Sequence, residues 1–409
     1  MTTDVALVTP YPVRAGRSHS GVAWYSQSLA HALSDAGLSV TVLAPVTGGN
    51  ASAETDGAVR VRRCFARGPR ALLDAASAAV ATGAPVSHVQ HEAFLYGGPA
   101  AMPGLVGGLA RLRRAGSGPV VTMHQVVDPS RVDKTFTRLH RVNIPAPIAR
   151  AGLATLQRTI AGLASRIIVH DESFRASIPG SVVLPIGSAR PSGARPVVDD
   201  SRVPARAREL RVSHGASDSA LLVLCFGFVA PYKGIEIALE AAGLAGPAVR
   251  LVIAGGEHPR LSGQGYLEAL KGRYARSAAF AGYVSDDDVA AWFAAADAVL
   301  LPYPQAFSSS GVLALAVEHD VPALLSPSLG AVSGVPAHRC IPLDPGALAD
   351  RLKGFAASRS DLVPFAELTR KLGVGRSWDE VAARHMDVYE EVTNSKRSAA
   401  PNRRARSHW

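Results

Sequence analysis

Residues 308–311, three serines and a glycine, stand directly before an apolar run at 312–317 that predicts a buried helix. Such short residues leave the first backbone N–H groups of a helix uncovered, and the helix dipole adds partial positive charge there. The stretch therefore predicts a site for an anion such as a phosphate group. The alternative is an ordinary helix cap, for which one serine would be enough.

Lys233 is the second candidate for anion binding. An apolar run at 221–226 predicts a strand, the segment GFVAPYKG at 227–234 follows it, and residues 235–242 then have the pattern of a helix. The order Lys-Gly-Ile differs from the Gly-Lys-Ser/Thr of a P-loop. A lysine at the start of a helix nevertheless suits a phosphate, because its ammonium group is a compact cation with three donors.

Three predicted strands of the first half end in a histidine, namely His91, His124 and His170. Glu92 and Asp171 directly follow two of these histidines. A single histidine at the end of a strand is more often structural than functional. Three of them at the shared edge of one parallel sheet predict a site.

Strands and helices alternate along the chain, which predicts parallel sheets and an α/β fold. A loop ending at Gly21 leads into the first predicted helix, at 21–35. A segment rich in Pro, Gly, Ser and Arg predicts a linker region at 191–218. We therefore predict two Rossmann-like domains, at 1–190 and 219–375, which face a central cleft where ligands bind.

Charge is unevenly distributed over the 409 residues, whose formal net charge is +10. Residues 1–190 carry 19 Lys and Arg against 10 Asp and Glu, residues 191–393 carry 19 against 23, and residues 394–409 add five basic side chains. A basic half suits nucleic acid, an anionic membrane surface or an anionic substrate. No zinc-finger, basic-zipper or RNA-recognition motif accompanies it, so nucleic acid is not predicted. An arginine-rich composition alone is the remaining explanation.

Cys64, Cys225 and Cys340 are widely spaced and form neither a disulfide framework nor a metal-binding pattern, which predicts a reducing compartment. The amino terminus has no basic segment followed by a cleavable apolar one, so no secretory signal is expected. The longest uncharged apolar run, at 220–230, is too short to span a bilayer. We therefore expect a cytoplasmic protein.

The blocks GFVAPYKG, AGYVSDDDVAAWFAAADAVLLPY and SSSGVLALAVEHDVPALLS occur in that order in the second half. Their order and spacing resemble the donor domain of the GT-B glycosyltransferases of family 4, also called glycosyltransferase group 1. VQHEAFLYGG and VVTMHQ in the first half resemble the family more weakly. RSWDEVAARHMDVYEEV resembles its closing segment, which implies a helix at 376–393 that crosses back to the first domain, followed by a basic disordered tail at 394–409.

The resemblance implies a retaining enzyme that transfers a sugar from a nucleoside diphosphate donor to an acceptor hydroxyl. It assigns donor binding to eight residues, namely Gly21, Lys233, Tyr283, Val284, Ser309, Ser310, Gly311 and Val312. Gly21, Lys233 and the serine loop would surround the diphosphate, and the backbone near Tyr283 and Val284 would hold the nucleobase. His124 would be the catalytic residue, contacting the transferred sugar or polarising the reacting centre.

No metal or other cofactor is implied, because Asp286, Asp287 and Asp288 open a predicted helix capped by Ser285 and form no metal-binding DxD motif. The acceptor is expected to be a lipid-linked glycan or a small molecule. Family members often act on lipid-linked acceptors at the inner membrane face. The basic first domain therefore predicts peripheral docking on anionic lipid.

Three positions depart from the family pattern. Phe228 replaces an arginine that normally precedes the lysine, and Phe307 and Leu315 replace two glutamates that normally contact the sugar and the ribose. The subfamily with a GF-x-x-PYKG block and a Ser-Gly-Val loop also lacks them. A catalytically silent scaffold or partner protein stays an alternative. A sugar-nucleotide 2-epimerase is a weaker one, because its Gly-Thr-Arg-Pro-Glu block is absent here.

Overall fold

The computed structural model describes residues 2–12, 21–92, 95–139, 143–188, 202–217, 219–258, 261 and 263–399. The strands form two sheets, one from each half of the chain. Nearly all neighbouring strands are parallel and helices connect them, so the predicted α/β class with two sheets is confirmed.

The first sheet contains eight strands, which are β1 (Val5–Val8), β2 (Val40–Pro45), β3 (Ser52–Asp56), β4 (Val59–Phe65), β5 (Val86–His91), β6 (Gly118–Met123), β7 (Arg166–Val169) and β8 (Val182–Val183). Their order is β3-β4-β2-β1-β5-β6-β7-β8, and only the pair β3–β4 is antiparallel. The central strands are buried along their whole length, because helices cover both faces of a parallel sheet.

The described helices of the first half are α1 (Gly21–Asp35), α2 (Ala71–Val80), α3 (Met102–Arg114), α4 (Lys134–Leu139) and α5 (Ala146–Leu163). Helix α1 packs its Tyr25, Leu29 and Leu33 against the first sheet. Helix α5 lies mostly in solvent, since Gln157 and Ile160 are its buried residues.

The second sheet contains β9 (Leu221–Phe226), β10 (Val249–Ala254), β11 (Ala278–Gly282), β12 (Ala298–Leu301) and β13 (Ala323–Leu325). Their order is β11-β10-β9-β12-β13 and every pair is parallel. The described helices of this half are α6 (Val203–Ser213), α7 (Ile235–Ala245), α8 (Tyr266–Tyr274), α9 (Val289–Ala295), α10 (Gly311–Glu318), α11 (Pro327–Val332), α12 (Pro345–Ala357) and α13 (Val363–Leu372).

The last helix, α14 (Trp378–Ala399), packs on the first domain although it follows the second one in sequence. Its Val381 and Tyr389 share a buried cluster with β1. A Cβ atom on Gly187 would lie 2.4 Å from the ring of Trp378, so only glycine fits at this crossing. The chain therefore returns to its first half through a close-packed contact.

Several details differ from the sequence prediction. The strand β3 was not predicted because it is a polar, largely exposed edge strand without an apolar run. Residues 203–213 of the predicted linker region form helix α6, whose Ala207 and Leu210 enter the core one helical turn apart. Ser285 makes no side-chain cap bond, because a 3-10 turn at Asp286–Asp288 precedes α9.

Helix α14 extends through Ala399, into the segment predicted as a disordered tail. Outside the described residues lie the predicted loop before Gly21, at 13–20, the first part of the linker, at 191–201, and the rest of the tail, at 400–409. The helices that the structure describes include none that is both long enough and apolar enough to cross a membrane.

Candidate functional site

The carboxyl ends of the second sheet's strands lie at one edge, because all its strands are parallel. Glycines let the loops at this edge approach one another. A Cβ atom on Gly255 would lie 2.1 Å from the carbonyl oxygen of Gly227, and one on Gly234 would lie 2.1 Å from that of Pro302. Any larger residue at these positions would push the loops apart. The glycines thus bring three strand ends together around one small region.

Lys233 lies in this region, at the end of a 3-10 turn before α7, and only 7% of it is exposed. Its Nζ atom donates to the carbonyl oxygen of Phe226 at 3.3 Å. Burial lowers the pKa of Lys233 to about 8, because desolvation disfavours the charged form. Among the described residues no carboxylate pairs with Nζ. A buried ammonium group whose described partner is a carbonyl can accommodate an anionic ligand.

Helix α10 begins beside Lys233. A Cβ atom on Gly227 would lie 3.0 Å from Lys233 Nζ and 3.5 Å from a methyl group of Val312, so the two elements meet at this glycine. The first intrahelical bond of α10 runs from Ala314 N–H to Ser310 C=O. Leu313 N–H is bonded to the Ser310 side chain, so the N–H groups of Gly311 and Val312 are the orphan donors at the helix terminus among the described residues. The structure thus brings the predicted lysine and the predicted helix terminus together.

Ser310 is the N-cap of α10, and its hydroxyl accepts from Leu313 N–H at 3.3 Å. The same hydroxyl is 3.3 Å from that of Tyr303. Ser310 therefore acts as the ordinary cap that sequence reasoning offered as the alternative. Gly311 is exposed, and no atom lies within 4 Å of a Cβ placed on it, so the space in front of the helix is open.

Tyr283 and Val284, predicted to hold a nucleobase, follow β11 at the same edge, where Gly282 pairs with Ala254 of β10. The Tyr283 side chain is 49% exposed, whereas that of Val284 packs against the core. Gly21 opens α1 in the first domain and is exposed, with no atom within 4 Å of an added Cβ. Its predicted role next to a phosphate depends on the neighbouring loop, which lies outside the described residues.

Ser309 contacts the opposite domain. Its hydroxyl donates a hydrogen bond to the Oδ2 atom of Asp171, which directly follows His170 at the end of β7. Burial raises the pKa of Asp171 to about 6, and the positive charge of Arg376 opposes this effect. The predicted phosphate loop is therefore already in contact with a carboxylate across the cleft.

Phe307, in the same loop, forms a second contact between the domains. Its carbonyl oxygen accepts from Val126 N–H at 3.0 Å, and its ring packs edge-on against Phe136 with 5.0 Å between centroids. The guanidinium of Arg131 lies 5.1 Å from the centre of the Phe307 ring. Leu315 packs against the core of the second domain. The two positions at which the family pattern has glutamates are therefore part of apolar packing.

His124 is 7% exposed and both of its ring nitrogens contact neighbours. Its Nδ1 atom is 3.1 Å from Nε2 of His170, and its Nε2 atom is 2.7 Å from Oε1 of Gln90. Nδ1 of His170 is 2.9 Å from the carbonyl oxygen of Leu184 and must donate to it. When both rings are neutral, His124 donates to His170, and its Nε2 accepts from the Gln90 amide with the two amide atoms exchanged.

This network continues to helix α14. His88 Nε2 lies 3.2 Å from Nε2 of Gln90, and His88 Nδ1 lies 2.7 Å from the hydroxyl of Tyr389. The hydroxyl of Tyr25 is 3.3 Å from Nε2 of His385. Burial lowers the pKa of His385 to about 4 and that of His88 well below its usual value, so these rings are neutral near pH 7.

The histidines of the first sheet edge thus form a buried network rather than an open site. His170 is neutral as well, since burial lowers its pKa to about 4, and the pKa of His124 is held well below its usual value for the same reason. Burial also lowers the pKa of His91 to about 4, and its Nδ1 atom has no hydrogen-bond partner among the described residues. Across the cleft, His124 connects to Ser309 through His170 and the adjacent Asp171.

Sequence reasoning missed Gln90, Asp171 and Arg376 as members of the site. Gln90 could have been found, because it stands two residues after His88 on the same face of β5. Asp171 was noted only as a neighbour of His170. Arg376 gave no local signal, since it approaches from the segment before α14. Among the described residues, no group of three or more His, Cys, Asp or Glu side chains is placed to hold a metal ion.

Comparison with known proteins identifies the second domain. Residues 220–357 match the family model of the glycosyl transferases group 1. No curated protein matches the sequence. Among solved structures, sucrose-phosphate synthase from Thermosynechococcus elongatus is similar, with a TM-score of 0.72 at 17% identity over 96% of this chain and 100% of that chain.

Two further structures have the same fold. HepE from Anabaena in complex with UDP-glucose has a TM-score of 0.63 at 15% identity, covering 96% of this chain and 99% of that one. The catalytic domain of starch synthase IV from Arabidopsis thaliana, bound to ADP and acarbose, has a TM-score of 0.62 at 11% identity, covering 96% and 100%. At such low identity these similarities establish the fold.

The two facing Rossmann-like halves define the GT-B class. With its glycosyl transferases group 1 domain at 220–357, the chain is a glycosyltransferase. The predicted fold class, the resemblance to glycosyltransferase group 1 and the enzyme class are thereby confirmed, and the assignment to family 4 stays a prediction. The predicted domain boundaries, site residues and absence of a cofactor stay predictions.

Proposed function

We propose that this chain is a retaining, metal-independent glycosyltransferase of family 4 that takes its sugar from a nucleoside diphosphate donor. The observation that carries the proposal is the buried ammonium group of Lys233 beside the amino terminus of α10. HepE, which shares the fold, is known in complexes with UDP and UDP-glucose. The group 1 domain of this chain, at 220–357, includes both Lys233 and α10.

The chemistry follows from the leaving group. When the bond between the sugar and the diphosphate breaks, negative charge grows on the phosphate oxygens. Lys233 and the N–H groups of Gly311 and Val312 would stabilise that charge without a metal, because the fold holds these hydrogen-bond donors in place and Lys233 is buried. A bound diphosphate would also keep Lys233 protonated, since an adjacent anion raises the pKa of a lysine.

The other donor contacts are assigned on the family resemblance. Ser309 and Ser310 would offer hydroxyl groups, Gly21 would leave room for the phosphates, and the backbone at Tyr283 and Val284 would hold the base. His124 would act at the sugar. Since Gln90 and His170 already contact its two nitrogens, His124 would have to exchange one of these contacts to bind the sugar directly.

A catalytically silent scaffold is the second candidate function. The packing of Phe307 against Phe136, where the family pattern has a sugar-binding glutamate, favours it. Measurements of donor binding and of sugar transfer distinguish the two functions. We would first screen UDP-, ADP- and GDP-glucose by thermal shift, since a ligand that binds the native state raises its melting temperature.

Single-turnover assays with the bound donor then test transfer. An enzyme releases nucleoside diphosphate when an acceptor is supplied, and the anomeric configuration of the product tests retention. Donor binding without any release, to water or to any acceptor, would favour the scaffold. If none of the three donors binds, the proposed function is wrong for these donors.

We further propose that the first domain takes the acceptor and docks on anionic lipid at the cytoplasmic membrane face. Arg111, Arg113 and Arg114 are exposed in the last turn of α3. Two apolar side chains are also exposed, Ile144 just before α5 (45%) and Ile148 in its first turn (61%). Cations near an anionic surface contribute about 1 kcal/mol each. A soluble small-molecule acceptor is the alternative, with the arginines merely solvated.

Co-sedimentation with vesicles separates these two alternatives. Docking predicts binding to phosphatidylserine vesicles that weakens as salt rises, because salt screens exposed charges. Changing the three α3 arginines to Glu should reduce it. A matched control changes Arg273, Arg339 and Lys353 of the second domain to Glu and should leave it intact. Equal sedimentation with neutral and anionic vesicles would contradict docking.

A further inference from the structure

Ser309, which we assigned to binding of the nucleotide-sugar donor, already has an anionic partner. A serine hydroxyl has a single hydrogen to donate, and Ser309 donates it to the carboxylate of Asp171. A phosphate oxygen can accept from Ser309 only after this bond breaks. If the diphosphate binds in front of α10, as proposed above, the two anions compete for one hydroxyl group.

Asp171 is held in place by its surroundings. It is 6% exposed, it directly follows His170 at the end of β7, and its charged neighbour is Arg376. The ring of His170 is neutral and donates to the Leu184 carbonyl, so it brings no positive charge to the carboxylate. The neighbouring Glu172 is bound to Arg175 on the surface. Among the described residues, Asp171 therefore has Arg376 as its nearby cation and Ser309 as its hydroxyl donor.

We propose that Asp171 is an internal competitor of the donor: in the donor-free enzyme its carboxylate occupies the Ser309 hydroxyl in place of a phosphate oxygen. The donor binds when Asp171 releases Ser309 or becomes neutral. A neutral Asp171 carries an O–H that can donate to the phosphate, whereas the carboxylate repels it. One of the contacts between the two domains is thus also a gate for the sugar donor. This inference rests on the proposed function.

A dependence of donor affinity on pH follows from this competition. The carboxyl group is buried, and its pKa of about 6 means that it is ionised at pH 7.5 and half-protonated at pH 6. Binding an anion beside it raises its pKa further, so donor binding takes up a proton. The affinity should therefore increase as pH falls from 7.5 to 6.0. Lys233, with a pKa of about 8, is mostly but not fully protonated at pH 7.5, so its own titration adds a small increase in affinity over this window. Asp171→Asn keeps that small increase and loses the larger one.

Calorimetry with Asp171→Asn tests the proposal. The substitution removes the charge but keeps the shape and an oxygen that accepts from Ser309. The probe is whichever of UDP-, ADP- and GDP-glucose binds the wild type best, because nucleotide sugars have no phosphate group that titrates near pH 6. At pH 7.5 we expect Asp171→Asn to bind about tenfold more tightly than the wild type, with little change between pH 7.5 and 6.0.

Two controls separate this inference from the proposed function. Glu172→Gln makes the same change of charge one residue away, at a side chain that is 72% exposed, and should behave as the wild type. Lys233→Ala should weaken binding if the diphosphate lies at α10. Should Asp171→Asn fail to fold, Asp171→Ser serves as the second variant, with the same expected direction.

The possible outcomes are distinct. If Asp171→Asn binds no more tightly than the wild type while Lys233→Ala binds more weakly, the competition is wrong and the proposed donor site stands. Weaker binding by Asp171→Asn would make Asp171 a donor ligand and would also overturn the inference. If Lys233→Ala binds as the wild type does, or no probe binds any of the proteins, the proposed donor site itself is wrong.

Discussion

The carboxyl edges of the two sheets are built in opposite ways. The first edge holds a chain of contacting polar side chains, which are His88, Gln90, His124 and His170. Tyr389 of α14 contacts His88 at one end of this chain. At the second edge, glycine loops and the start of α10 present backbone groups around one buried lysine. At the first edge these side chains bond one another, although His91 Nδ1 has no partner among the described residues, whereas the second edge leaves N–H donors available.

This difference separates stability from binding. Buried polar groups that bond one another fix the packing of a domain, and losing one partner is costly. Unpaired N–H groups at a helix terminus and a buried cation are instead stabilised when an anion binds. We therefore expect damage at the first edge to appear mainly in unfolding, and damage at the second edge mainly in donor affinity.

The largest expected effect is acid destabilisation through the first edge. Burial holds the pKa values of His91, His170 and His385 at about 4, below the ordinary value of 6.5. Between these values the unfolded chain binds more protons than the folded one, so stability falls as pH falls. Each histidine should cost roughly 1.5 kcal/mol between pH 6.5 and pH 5.

Denaturant unfolding at several pH values checks this prediction. His385→Gln should be less stable than the wild type at pH 7.5, because it loses the contact with Tyr25, but its stability should fall less steeply with acid. An unchanged free energy of unfolding from pH 7 to pH 5 would show that the network does not resist protonation as described.

The next effect belongs to the second edge. Lys233→Ala should weaken donor binding by about 1.5–3 kcal/mol, roughly 10- to 150-fold, which is the scale of a charge-assisted hydrogen bond. Its melting temperature should change little. Lys271→Ala is a matched control, since Lys271 is a half-exposed lysine paired with Glu268 away from the site. Equal calorimetric affinities of the two variants would mean that the diphosphate does not bind near Lys233.

A smaller effect, on turnover, is expected from His124, which is connected to the second edge through His170 and Asp171. His124→Ala should lower turnover at least about tenfold while changing donor affinity less, as loss of a transition-state contact would. His88→Ala disturbs the same network one step further away and should reduce stability more than turnover. If both variants lower turnover equally in steady-state assays, His124 is structural.

Much of the fold was predictable because its signals are local. Strand β9 and helix α1 have the predicted ends, at 221–226 and 21–35, since their apolar residues stop shortly before a glycine. The meeting of the lysine loop with the serine helix was implied by the family resemblance, and the parallel order of the strands accounts for it. The prediction missed edge strand β3, because its residues are polar and form no apolar run.

The contacts that shape the site were not predictable, because they connect distant parts of the chain. Ser309 and Asp171 are 138 residues apart, and His88 and Tyr389 are 301 apart. Composition and spacing indicate which residues end a strand, but not which side chain arrives from the other domain. The histidines were therefore predicted to converge, while their partners and their neutral, closed state were not.

Hydrogen exchange of the full chain with and without the best-binding nucleotide sugar tests the central claim most directly. We predict slower exchange at the amides of Gly311 and Val312 and in the loop at 227–234, with the strands of the first edge unchanged. These amides are the orphan donors of the second edge, and a bound diphosphate would protect them. Protection confined to the first edge, at saturating donor, would contradict the claim that the second edge binds the diphosphate.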